Sequence, residues 1–152
     1  MPTIEDGVWI DAPVDEVFDY MASPENHVDF MPSLIEIEDV ADIPSGGTEG
    51  EFTFKMLGVR LDGHFRDVEF DPPARREYRL EGDIEGTMTY DLRSEDGGTW
   101  LDVRNVSEPP GPDFVGRLTD RLVARYLTRE IRSTLQNVKM VVEEAPIRAE
   151  RA

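Results

Sequence analysis

The chain has 152 residues, a length that suits one domain and lets about 68–70% of the unfolded surface be buried. Thirty-three acidic residues against sixteen basic ones give a formal net charge of −17, which repels phosphate backbones, so neither nucleic acid nor an anionic membrane surface is expected as a partner. Cysteine is absent, so no disulfide framework, thiolate metal site or Cys nucleophile is available, and no apolar run approaches the roughly 18 residues of a membrane span.

The opening stretch MPTIEDGVWID carries acids where a signal peptide needs basic and apolar regions, and a cytoplasmic protein is expected. A first strand is read over Ile4 to Asp11, with Val8 and Ile10 on one face and Trp9 on the other. Ala12-Pro13 then opens a short helix whose Val14, Val17 and Phe18 share a face. Ser23-Pro24-Glu25-Asn26 repeats the device, with Ser23 as cap, Pro24 at the first helical position, Val28 and Phe30 to Met31 as apolar contacts, and Pro32 as the stop.

From Leu34 the period is two. Ile35 and Ile37 alternate with Glu36 and Glu38, and Ser45-Gly46-Gly47 turns the chain. Phe52, Phe54 and Met56 form a half-buried strand, and Val59, Leu61 and Phe65 continue the pattern after Gly58. Val68 and Phe70 have the opposite parity to Phe65, which predicts a β-bulge near Arg66-Asp67. Asp71-Pro72-Pro73 ends that strand. Tyr78 and Leu80 mark the next, Met88, Tyr90 and Leu92 another, and Asp96-Gly97-Gly98 is a hairpin turn into Leu101 and Val103. After Pro109-Pro110-Gly111-Pro112, residues Asp113 to Glu144 read as a long helix with an apolar stripe of Val123, Leu127, Ile131, Leu135, Val138 and Val142. Val115, Leu118 and Leu122 lie off that stripe, which predicts a break near Thr119-Asp120. Pro146 is expected to end the helix, leaving residues 1–146 as one domain and 147–152 as a frayed tail.

The order is thus strand, two short helices, six strands, one long helix. With Asp11-Ala12-Pro13-Val14-Asp15-Glu16-Val17-Phe18 leading to Ser23-Pro24-Glu25-Asn26, it resembles the START-like (SRPBCC, helix-grip) superfamily, particularly its polyketide cyclase/dehydrase branch. Glu69-Phe70-Asp71-Pro72-Pro73, Asp96-Gly97-Gly98-Thr99 and Leu135-Gln136-Asn137-Val138-Lys139 also fit, so the resemblance spans residues 3 to 145. It implies an α+β helix-grip fold, a curved antiparallel sheet of about seven strands closed on a long C-terminal helix around a cavity for lipids, polyketides, hormones or other apolar ligands. These motifs are turns, caps and core positions; they specify a fold and carry no catalytic signature.

His27 and His64 are the only histidines. The resemblance sets positions such as His27 beside the cavity mouth, but the plainer reading is a solvated helix histidine. His64 shares parity with Asp62 and Arg66 and is expected to face water unless the bulge turns it inward. Two distant histidines without cysteine or HExxH predict no zinc site, and no cofactor is expected. Asn105 and Ser107 point to the concave face if the alternation of Leu101 and Val103 persists; if the last strand twists away, Asn105 caps a turn. Asp120 is read as a helix cap before a buried general base. Arg117, Arg121, Arg125 and Arg129, every fourth residue, are read as a solvated face before an anion-binding or partner-docking strip.

The leading reading is a binding domain for an apolar small molecule, lined by Phe52, Phe54, Met56, Phe65, Tyr78, Met88, Tyr90, Asn105, Leu122 and Tyr126. Set beside it are a polyketide cyclase, aromatase or dehydratase using Asp120, Asp67 or His64, and an interaction module without ligand. Two lysines against fourteen arginines, in so acidic a chain, resemble proteins of salt-loving microbes, the plainer alternative being an ordinary acidic protein. Oligomeric state is left open.

Overall fold

The computed structural model describes residues 3–108 and 120–151, with side chains over 3–108 and 121–144. In chain order these form β1 (Thr3–Ile10), α1 (Val14–Ala22), a 3-10 turn (Pro24–Asn26) running into α2 (His27–Phe30), β2 (Leu34–Asp42), β3 (Thr48–Met56), β4 (Val59–Asp71), β5 (Arg75–Gly82), β6 (Glu85–Glu95), β7 (Gly98–Glu108) and α3 (Asp120–Arg151). One antiparallel sheet takes the order β1-β7-β6-β5-β4-β3-β2, so strands two to seven run as a meander and β1 closes against β7. This is the α+β helix-grip architecture.

Local chemistry sets the sheet's shape. Glu95 pairs with Gly98 across Asp96 (φ 49°) and Gly97 (φ 80°), the doubly left-handed pair that a two-residue turn between right-twisted strands requires. Gly86 faces inward on β6, where a Cβ would lie 2.3 Å from the Val106 carbonyl oxygen. Without a side chain there, β7 can press close and the sheet curls over the helix.

On α3, which is about 48 Å long at 1.5 Å per residue, the whole predicted stripe from Val123 to Val142 is buried against the concave face, β1, α1 and α2. Each such side chain contributes about 1.5–3 kcal/mol relative to exposure. Asn137 Nδ2 donates to the Phe30 carbonyl (3.2 Å) and Lys139 Nζ to that of Trp9 (2.8 Å), which fixes the helix against α2 and β1.

Several expectations are corrected. The bulge in β4 is present one residue later than read, since pairing to β5 shifts between Asp67 and Glu69. Val68 is the extra residue and is 54% exposed, while Asp67 and Phe70 turn inward on either side. A second shift between Leu34 and Glu36 buries Leu34 and turns Ile35 out to solvent, so Ile35 and Ile37 do not share a face. β1 begins and ends one residue earlier than expected. Ser23 stands at the N-cap position, but its hydroxyl donates back to the Asp19 carbonyl (3.0 Å) instead of capping, and Val28 is exposed. α2 ends at Phe30 with Met31 as its C-cap, in keeping with Pro32 as the stop. The backbone of α3 stays helical through Pro146, which forgoes one bond close to the end of the helix. The proposed break near Thr119-Asp120, with Val115 and Leu118, falls at or beyond the edge of the described residues, as does the Asp120 side chain.

Candidate functional site

Between the concave face and α3 lies a cavity walled almost wholly by apolar atoms. A water-sized sphere can place its centre anywhere in about 80 Å³ of it, several times the ~10–15 Å³ that one water needs. The sheet wall is built by strand parity: Phe52, Phe54 and Met56 of β3, Phe65 of β4, Tyr78 of β5, Met88 of β6 and Asn105 of β7 all point inward. The helix wall is Val123, Leu127 and Ile131, one face of α3 at intervals of four.

Seven of the ten residues expected to surround a ligand therefore border the cavity. Tyr90 does not: it is buried one layer behind, its hydroxyl 2.8 Å from that of Tyr78. Leu122 is exposed, because it is off the buried stripe of a regular helix. Tyr126 is half-buried at the rim, where its hydroxyl donates to the Lys55 carbonyl (3.1 Å) and meets Ser33 Oγ. Beside it the Glu130 carboxylate accepts from Ser33 N (2.9 Å) and Ser33 Oγ (2.8 Å), tying the loop before β2 to α3. Glu130 borders the cavity as well.

β7 stays in the sheet to Glu108, so Asn105 and Ser107 do face the concave side. Ser107 Oγ donates to Asn105 Oδ1, and Asn105 Nδ2 is 3.0 Å from Met88 Sδ, a weak acceptor. His64 faces water and bonds Glu51 (2.9 Å). Arg121, Arg125 and Arg129 are exposed, and Arg117 is outside the described residues. Among the described residues no three His, Cys, Asp or Glu side chains stand together as a metal site.

The polar floor of the cavity was not foreseen as a set, although Asp67 is among the acids named above for a catalytic reading. His27 is buried rather than solvated, and its Nδ1 is 3.0 Å from the Ser23 carbonyl. A carbonyl only accepts, so Nδ1 carries the proton and Nε2 accepts from Arg76 Nη1 at 2.9 Å. Burial foremost, then the Arg76 charge, lowers the His27 pKa from 6.5 to about 3, so the ring is neutral. Arg76 also donates from Nε to Asp67 Oδ1 (2.6 Å) and from Nη1 to the Met21 carbonyl (3.0 Å). Asp67 Oδ2 accepts from Thr48 N (2.8 Å). Both side chains of this ion pair are 1% exposed.

The guanidinium carbon of Arg76 lies 4.6 Å from the Tyr78 ring centroid and 5.7 Å from that of Tyr90. Burial pushes both phenols above the usual tyrosine value, so each keeps its proton. The signal for this floor was parity: Asp67 is two residues beyond inward Phe65, and Arg76 two before inward Tyr78. Met31, Leu34, Ile37, Leu80, Ile84, Thr134 and, at the end of β7, Glu108 complete the lining and were also missed.

The sequence matches the family described as "Polyketide cyclase / dehydrase and lipid transport" over residues 1–143. No curated protein matches it significantly. Among solved structures, TTHA0849 from Thermus thermophilus superposes with a TM-score of 0.82 at 21% identity, covering 95% of this chain and 99% of that one. The Zhui aromatase/cyclase from Streptomyces sp. R1128 gives 0.76 at 18% identity, covering 94% of each chain. The di-domain ARO/CYC StfQ from the steffimycin biosynthetic pathway gives 0.76 at 14%, covering 95% of this chain and 52% of that one. At these identities the likeness is one of fold.

Proposed function

The chain belongs to the polyketide cyclase/dehydrase and lipid transport family, and we propose that its part in that family is the reversible binding of an apolar small molecule, lipid- or polyketide-like, in the cavity under α3. The observation that carries this reading is the cavity itself: unfilled apolar space inside an otherwise close-packed domain. Interiors pack to crystal-like density, so space of this size is a site for a guest rather than a packing remainder. Phe52, Phe54, Met56, Phe65, Tyr78, Met88 and Asn105 are the proposed contacts.

Binding is favoured over catalysis by what the titratable groups are doing. A general base needs a lone pair within reach of substrate. The single His27 lone pair is taken by Arg76, and Glu130 is engaged in tying Ser33 to α3 through a bond on each oxygen. Asp67 is bonded by Arg76 and Thr48 and does not border the cavity. The test is uptake of a neutral fluorophore such as N-phenyl-1-naphthylamine, together with native mass spectrometry of protein purified from its own host. Saturable uptake, and an added mass that apolar compounds displace, are expected. Failure of both would remove the reading in favour of a module that binds no ligand.

A further inference from the structure

Resting on that reading, we infer that the ligand carries a neutral carbonyl oxygen, as in a ketone, ester, lactone or quinone, and that this oxygen is received by Arg76 at the floor of the cavity.

A guanidinium has five N–H groups in a fixed plane. Arg76 commits three of them, to Asp67, Met21 and His27. Nη2, with the other two, donates to no described residue, although the side chain is 1% exposed and borders the cavity. The side chain borders the cavity, and a hydrogen bond from a charged donor is the stronger kind, so an acceptor offered there by a guest is favoured. Tyr78 covers one face of the guanidinium at 4.6 Å. The direction left is the in-plane edge, along which a carbonyl oxygen accepts best.

The kind of oxygen follows from charge and from donor count. Asp67 already balances Arg76, and His27 is neutral, so this cluster sums to zero. A carboxylate headgroup would bring an unbalanced buried charge, near Glu130 at the same cavity, and such a charge is strongly penalised. An alcohol brings a proton as well, and with the His27 Nε2 lone pair taken it would have to share an Asp67 or Met21 oxygen that already accepts a bond. A carbonyl needs a donor and nothing else.

The test is competition against N-phenyl-1-naphthylamine at pH 7 by three chains of equal length: decane, 2-decanone and decanoate. A hydrogen bond from a charged donor corresponds to roughly tenfold to a hundredfold in affinity. 2-Decanone should displace the probe at least about tenfold better than either of the others, and Arg76→Lys, which keeps the charge but not the Nη2 donors, should abolish the preference. If Arg76→Lys fails to fold, the wild-type protein still decides: the carbonyl stretch of bound carbon-13-labelled 2-decanone should fall below its frequency in alkane solvent. Equal displacement by decane and ketone, a preference for decanoate, or an unshifted carbonyl band would overturn the inference while leaving the cavity reading intact. Absence of probe uptake would overturn both.

Discussion

A buried neutral histidine should make this fold acid-sensitive in a window set by His27. The unfolded chain takes up a proton on His27 near its ordinary value of 6.5, while the folded chain does so only near about 3. Between those values the unfolded state binds the extra proton, so stability falls as pH drops from about 6.5 toward 3 and is unaffected by His27 above that window. The slope reaches up to about 1.4 kcal/mol per pH unit, a large part of the roughly 5–15 kcal/mol that holds a domain together. The cause is local: an imidazolium here would face the Arg76 guanidinium at 2.9 Å and lose the lone pair that now accepts its proton. The assay is urea unfolding followed by tryptophan fluorescence, at fixed salt, in steps from pH 7 to 5, on the wild type and on His27→Gln. Glutamine can offer Arg76 an oxygen acceptor but has no proton to gain. The wild-type curve should steepen on acidification relative to the variant by up to the stated slope, whatever the offset between them. Identical slopes would show that His27 is not held neutral by the fold, and the assigned tautomer would fail with it.

Three further outcomes are expected. Met88→Trp should occupy cavity space, leaving the thermal midpoint nearly unchanged while ending probe uptake; a loss of about 1–3 kcal/mol would instead indicate overpacking of a closed core. Leu57 sits at φ 51° in the two-residue turn between β3 and β4 and is exposed, so Leu57→Asn should relieve strain and raise stability by about 1 kcal/mol in urea titration, and no gain would count against that account. With a net charge of −17 the compact state repels itself, so the thermal midpoint should rise with KCl as screening shortens to about 3 Å in molar salt; a flat response would remove the halophile reading.

The fold was legible because it is written in periodicity. Phe52, Phe54 and Met56, then Tyr78 and Leu80, then Met88, Tyr90 and Leu92 mark inward faces at period two, and the α3 stripe marks its own at 3.6. Where the period slipped, at Phe65 to Phe70, the pattern announced a bulge but not its position, since either Asp67 or Val68 could be the residue squeezed out. Hydrophobicity favoured keeping Val68 inside. The structure expels it, because Arg76 on the neighbouring strand gives Asp67 a partner and the charge can then be buried. Ile35 was misjudged for a related reason: pairing with β3 shifts between Leu34 and Glu36, and the sequence carries no glycine or proline there to mark it.

The site divides along the same line. Its apolar walls follow from parity, but whether facing side chains meet or leave a gap depends on the distance between sheet and helix. That distance is set by sheet curvature, by the close approach of β7 over Gly86 and by the Ser33 contacts to α3, and none of these has a one-dimensional signature. The polar floor is harder still. Read singly, Asp67, Arg76 and His27 are each the sort of residue that faces water, and the penalty for burying any one alone would justify that reading. They are buried because they come as a set: Tyr78 pairs with Asp67 across β4 and β5, Arg76 is the next inward residue along β5, and α2 brings His27 to the far side of the guanidinium. Such a set has to be sought as complementary inward charges on paired strands, and in an acidic chain an inward arginine with one amino group to spare is the feature most worth seeking.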